Sequence, residues 1–262
     1  MVPSFLLILR EGLEAALIIG IIFGYISKIE RLDLRKHVYT GTILGVFFSI
    51  ITAFIFNRFT SGFEGRNEQI FEGILMLFAV FILTSMIIWM KKQSKDIKND
   101  LQKTINNAVN NKVYGLVFLA FVSVYREGVE IVLFLEAIKN TDSPLNTAIG
   151  SILGIIVAII IAIMIFKYTV RLDIGKFFKI TGLMIIVIAA GLFAHGIHEL
   201  QEAGIIPIII EHIYNINGVV DENGNIGSIL KAIFGYNGNP SLIEMLSYLT
   251  YIVTISLMYN KN

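Results

Sequence analysis

Apolar residues gather into seven long runs separated by polar stretches, and the lengths of those runs decide the architecture. The runs are Pro3 to Ser27, His37 to Phe56, Ile70 to Met90, Val113 to Ala137, Asn146 to Phe166, Phe178 to about Leu200, and Ser241 to Tyr259. Each is close to the ~20 residues that a helix needs to cross a hydrocarbon core. Inside a bilayer, backbone groups must bond to one another, which a helix does within its own length. The pattern predicts an all-α, polytopic membrane protein of seven transmembrane helices in a single membrane transport domain, 1–262. The stretch 91–112, rich in Lys and Asn, reads as a solvated cytoplasmic linker. The stretch 201–240 reads as an outer loop. Within it, Ile205 to Ile210 is too short to span and is expected to re-enter the membrane or lie in its interface.

Two of the runs share an unusual interruption. Arg10-Glu11-Gly12-Leu13-Glu14 lies in the first, and Arg126-Glu127-Gly128-Val129-Glu130 lies in the fourth. Weaker echoes follow. Gly41-Thr42-Ile43-Leu44-Gly45 returns as Gly150-Ser151-Ile152-Leu153-Gly154, and Gly73-Ile74-Leu75-Met76 returns loosely as Gly182-Leu183-Met184-Ile185. Helices one to three (about 1–90) therefore repeat as helices four to six (about 113–200), with helix seven (241–259) outside the repeat. An odd number of spans per copy makes this an inverted-topology repeat, the arrangement in which transporters place sites near the midplane. The paired glycines are small-xxx-small motifs, which let helix backbones approach closely.

The charged motifs carry the candidate chemistry. A charge at the bilayer centre costs roughly 3 kcal/mol on insertion scales, and such residues mark ion or substrate pathways by default. On a helix, residues three or four apart share a face. Glu11 and Glu14 therefore point together, as do Glu127 and Glu130, with Arg10 and Arg126 as supporting cations. Two such helices facing each other hold four carboxylates against two guanidiniums, a surplus of acid that suits a multivalent cation. All-oxygen donors favour hard ions: ferric iron, manganese, magnesium or calcium. The plainer alternative is a lattice of ion pairs, Arg10 with Glu14 and Arg126 with Glu130, that only pins the helices.

Composition agrees with the membrane reading: 55% of residues are hydrophobic, 16% are charged and the mean hydropathy is +0.74. With no cysteine, thiolate metal sites and disulfides are excluded. Of the 21 Lys and Arg residues, 15 fall on the side that holds the 91–112 linker and only four on the other. Positive residues mark the cytoplasmic side, so the N-terminus is expected outside and the C-terminus in the cytoplasm. Acids concentrate on the outer face, where they raise the local concentration of cations. Arg10, Glu11 and Glu14 also interrupt what would be the apolar core of a leader, so the first run is expected to be a retained helix.

A second cluster, His195-Gly196-Ile197-His198-Glu199-Leu200-Gln201-Glu202, ends helix six. His195, Glu199 and Glu202 fall on one face with His198 beside Glu202. Glu68 and Glu72 open helix three on the same side. Together they form a candidate outer entry site for a metal, against the alternative of an ordinary solvated helix end. Glu211 and His212 are weaker candidates. The order His-x-x-His-Glu is not that of a zinc protease, and the stretch from Asp221 to Ala232 lacks the glycine and final glutamate of a calcium loop.

The paired Arg-Glu-x-x-Glu, once in helix one and once in helix four of a seven-helix chain, resembles the oxidase-dependent iron permease family. The segments His198 to Gly204 and Gly235 to Ser241 resemble it too. The resemblance implies a transporter, not an enzyme, that brings iron inward across the plasma membrane. It implies that the ion is ferric, delivered after an extracytoplasmic ferroxidase, a frequent partner in that family, oxidises ferrous iron. It also implies that Glu11, Glu14, Glu127 and Glu130 bind the iron. Iron is then cargo and no prosthetic group is expected; nucleic acid is not a partner, and a homo-oligomer fits. Within residues 1–262 the long extracytoplasmic domain and acidic tail of larger members are not expected. The rival readings are a carrier of manganese, lead or protons, and an intramembrane di-iron enzyme. The latter fits less well, because such bundles use Glu-x-x-His pairs.

Overall fold

The computed structural model describes residues 1–93, 113–139, 143–167, 174–221 and 234–261, together with Gly224, Gly227, Leu230 and Lys231. Seven long helices organise these residues: α1 (Val2–Lys28), α2 (Arg35–Thr60), α3 (Arg66–Gln93), α4 (Val113–Ala137), α5 (Pro144–Lys167), α6 (Ile174–Glu202) and α7 (Leu242–Lys261). Each coincides with an apolar run. The helices overrun those runs by up to four residues, because backbone bonding continues past the dry part of the helix until the chain turns. Pro3 in the first turn of α1 and Pro144 at the start of α5 occupy positions where a missing N–H costs nothing. Beyond Gln93 the 91–112 linker lies outside the described residues, and so does Arg171, one of the basic residues on the expected cytoplasmic side.

Leu32–Thr60, Arg66–Ile88, Pro144–Phe166 and Gly175–Glu202 are long and apolar enough to cross a membrane, and Leu242–Met258 is a shorter apolar helix. The helices α1 and α4 are of similar length, but each carries an arginine and two glutamates in its middle.

The helices pair across the chain. The main partner of α1 is α5, that of α2 is α4, and α3 lies along α6, with α7 against α6. The motif helices α1 and α4 also meet each other. Glycines explain the crossed pairs. Gly41 and Gly45 bring α2 against Val117, Ala120 and Val124 of α4, and Gly150 and Gly154 bring α5 against Met1, Ser4, Phe5 and Ile8 of α1; a Cβ at any of the four would collide with those neighbours. The small-xxx-small motifs thus seat the two charged helices. Within the charged motifs, Gly12 faces Ala158 and Gly128 faces Ser49.

The largest apolar core joins Leu6 and Leu7 of α1 to residues of α3, α4, α6 and α7, including Leu83, Phe134, Ile185 and Tyr251. A smaller one packs Ile22 and Ile26 against Val38, Leu116 and Ala120. The remaining faces of α2 and α5 expose Ile43, Phe47, Phe54, Ile152, Ile155 and Ile159. An apolar surface that extensive suits lipid rather than water.

In the α6–α7 connection, where Ile205 to Ile210 was expected to re-enter or to lie in the interface, Ile208, Ile209 and Ile210 are exposed and non-helical. A later piece turns back against the bundle instead. Lys231 and Phe234 are helical, and Gly235 (φ 64°) ends that turn by donating its N–H to the Lys231 carbonyl at 2.9 Å. Gly235 rests directly on Gly191 of α6, backbone to backbone. That point is about three helical turns before the end of α6.

Candidate metal site

The motif glutamates meet where α1 crosses α4. Donor oxygens of Glu11, Glu14 and Glu127 all lie within 4.8 Å of one another, and all three residues are buried. That span is about twice a metal–oxygen bond of roughly 2.0–2.5 Å, so one cation could touch all three. Glu130 does not join this trio, although it shares a helix face with Glu127.

Each arginine stays with its own helix. Arg10 Nη1 is 3.1 Å from Glu11 Oε1, and Arg10 Nη2 is 3.2 Å from Glu14 Oε1. On α4, Arg126 Nη2 is 2.6 Å from Glu127 Oε1, and Arg126 Nε is 3.5 Å from Glu130 Oε1. The i,i+4 pairs follow from helix geometry. The i,i+1 pairs do not, because adjacent residues point apart; the long arginine side chain folds back to reach them. Arg10 also donates to the Met86 sulfur on α3 at 3.2 Å. The ion-pair lattice considered from sequence is therefore present, yet it leaves acid over. Glu11 Oε2, Glu127 Oε2 and Glu130 Oε2 are buried with no hydrogen-bond partner among the described residues. Burying an unpartnered carboxylate oxygen is costly, and a cation held between the two helices would supply what these oxygens lack.

The second cluster also assembles. His195 Nε2 is 3.6 Å from Glu199 Oε1, and His198 Nε2 is 3.1 Å from Glu202 Oε1. The two imidazoles stack with centroids 5.8 Å apart. From α3, Gln69 donates to Glu202 Oε2 at 2.8 Å and Arg66 donates to the Ala203 carbonyl at 2.8 Å. These bonds bring Glu68 and Glu72, in the first two turns of α3, to the same end of the bundle. Glu68 is exposed and Glu72 half-buried.

Sequence reasoning missed the partner that α7 contributes. Glu244 is 4% exposed and puts Oε1 2.5 Å from His198 Nδ1. Its other oxygen accepts from the Ser241 N–H at 3.0 Å and from Asn237 at 3.1 Å, while the Glu244 N–H donates to Ser241 Oγ at 3.3 Å. This is a reciprocal capping box, and Ser241-Leu242-Ile243-Glu244 ahead of an apolar run was its signal. Ser241 Oγ also bonds Gln201 Oε1 at 2.8 Å, which ties the start of α7 to the end of α6.

Here α6, α7 and the connection between them enclose a cavity of about 670 Å³, lined by His195, His198, His212, Tyr236, Asn237 and Glu244 among others. Along α1, Leu6 and Leu7 separate Pro3, which reaches this cavity, from Arg10. His212 also sits 3.4 Å from Asn239. Glu211 is exposed and does not line the cavity.

Comparison with known proteins identifies the family. The Iron permease FTR1 family matches residues 1–259. A ferrous iron permease EfeU from Yersinia pestis is 34% identical over 99% of this chain and 93% of its own length. Ferrous iron permeases EfeU from Yersinia pseudotuberculosis and Escherichia coli O6:H1 are also 34% identical, each over 97% of this chain and over 90% and 93% of their own lengths. No solved structure matches. A family match over nearly the whole chain, with relatives of the same extent, places this protein in the FTR1 iron permease family.

Proposed function

We propose that the protein carries iron inward across the plasma membrane, binding it between α1 and α4 at Glu11, Glu14 and Glu127, with Glu130 beside them. The observation that carries this reading is the convergence of three buried carboxylates from two helices, with oxygens left unpartnered after both arginines are engaged. The N-terminus and the cavity face outside, and the C-terminus is cytoplasmic, as the distribution of Lys and Arg implies. The crossed pairs α1–α5 and α2–α4 support an inverted repeat, because exchanging the halves turns one pair into the other. The packing of Gly12 on Ala158 and of Gly128 on Ser49 obeys the same exchange. The two halves rock about the paired glutamates, exposing them to each side in turn.

Iron enters first at the cluster of His195, His198, Glu199 and Glu202, with Glu68 and Glu72 adding negative charge nearby. The relatives' names point to ferrous iron at this mouth. A second reading keeps ferric iron, handed over by an extracytoplasmic ferroxidase; the all-oxygen donor set at the centre favours it. Reconstituted vesicles separate the two. Under anaerobic conditions with ascorbate, ferrous iron is taken up on the first reading, and uptake requires an oxidase on the second. Glu14→Gln or Glu127→Gln should abolish uptake without loss of folded protein. Normal uptake in both variants would remove the central site from the mechanism.

A further inference from the structure

At the mouth, the geometry points to one metal-binding pair rather than a diffuse acidic patch. We propose that His198 Nε2 and Glu202 Oε1 are adjacent ligands of an entering ferrous ion, and that Glu244 is the positioning residue that makes His198 a ligand. This rests on the reading of the chain as an inward iron permease and adds the donors that first take the ion from water.

The two atoms are 3.1 Å apart. Two donors about 3 Å apart are neighbours on the shell of an ion with bonds of about 2.1 Å. They stand one turn apart on α6; His198 lines the cavity, Glu202 pairs with it from beside the cavity, and both side chains are partly exposed to receive an ion. Each is held from a different helix. Gln69 of α3 donates to the second oxygen of Glu202, which turns Oε1 towards the imidazole. Glu244 of α7 lies at Nδ1 of His198. A histidine that ligates through one nitrogen almost always gives the proton on the other to a carboxylate or carbonyl, which fixes tautomer and ring orientation. A buried glutamate with one oxygen locked into a helix cap and the other against Nδ1 is that arrangement. Without the ion, Nε2 pairs with Glu202 through its proton; an entering ion displaces that proton to water, and the Nε2 lone pair and Glu202 Oε1 then both face the ion.

The mixed donor set also sets selectivity. Imidazole suits iron and its heavier neighbours, whereas magnesium and calcium prefer oxygen alone. The mouth therefore discriminates against the abundant hard divalent cations before the all-carboxylate centre is reached. Water completes the shell, since a cavity of about 670 Å³ admits a hydrated ion.

The test uses the full chain in liposomes, with ferrous iron and ascorbate under anaerobic conditions, and reads half-saturating concentration and maximal rate separately. His198→Ala and Glu202→Gln should raise the half-saturating iron concentration by about tenfold or more, with maximal rate within about twofold. Glu244→Gln keeps the helix cap, because glutamine also serves at that position, yet should shift half-saturation in the same direction by about tenfold. A millimolar excess of magnesium should leave wild-type uptake unchanged and should inhibit His198→Ala. Unchanged half-saturation in His198→Ala and Glu202→Gln overturns the proposal, as does a fall in maximal rate alone. Failure of the central reading looks different. Glu14→Gln would then transport normally, while the shift at His198 would persist.

Discussion

The two copies of the charged motif are the same in sequence order and different in surroundings. On α1, Arg10 is 1% exposed, Glu11 is fully buried and Met86 approaches the guanidinium. On α4, the side chain of Arg126 is 51% exposed and that of Glu130 is 16% exposed. Both arginines bind the neighbouring and the fourth-following glutamate. One ion-pair set is therefore sealed in the bundle and the other reaches its surface. Repetition fixes which residues can meet; the packing around each copy decides what their charges are worth. Three donors converge from a pair of unequal halves, and the fourth glutamate stays paired to Arg126 beside them.

The sharpest way to break this comparison is to delete each cation in turn. Arg10→Met strands two buried carboxylates and should cost about 3–5 kcal/mol, seen as a large loss of melting temperature in detergent. Arg126→Met should cost less, about 1–3 kcal/mol, because it strands the buried Glu127 but its own guanidinium is half-exposed and Glu130 is partly open. Equal losses would mean that the two environments do not differ as described. Next, Glu127→Gln should lower iron uptake at least about 100-fold, which corresponds to about 2.7 kcal/mol, whereas Glu130→Gln should lower it only about fivefold to tenfold, or about 1 kcal/mol. Isotope uptake at matched protein levels measures both. The most symmetric effect concerns packing. Gly45→Ala and Gly154→Ala each push a methyl group into a facing helix and should destabilise by about 1–3 kcal/mol. The two losses should be similar, and a difference between them would show that the seats of α1 and α4 are not equivalent.

Much of this was legible in the chain because its causes are local. Each helix announces itself by an apolar run such as Ile70 to Met90, and Arg10-Glu11-Gly12-Leu13-Glu14 betrays itself by charge where none is needed. The i,i+4 ion pairs follow from helix geometry alone. What escaped depends on contacts between distant segments. Nothing local to Glu244 reveals that α7 starts beside His198; that follows from the course of the 201–240 connection, which has no periodicity to read. The same connection also hides which of its pieces packs on the bundle. An apolar hexapeptide looks like the natural piece to bury, but Gly191 offers a seat that only a backbone as bare as Gly235 can occupy. The departure of Glu130 from the converging trio is likewise a matter of how α1 and α4 cross, to which spacing along one helix is blind.

The crossed pairing of helices has a consequence for heredity. The main support of each charged helix comes from the other half; α5 cradles α1, and α2 cradles α4. A gene cut within 94–112 should therefore yield two fragments that are each inert alone and recover activity when produced together. For the same reason, a substitution in one half is judged by the other, so two ancestral copies joined this way could diverge only in step.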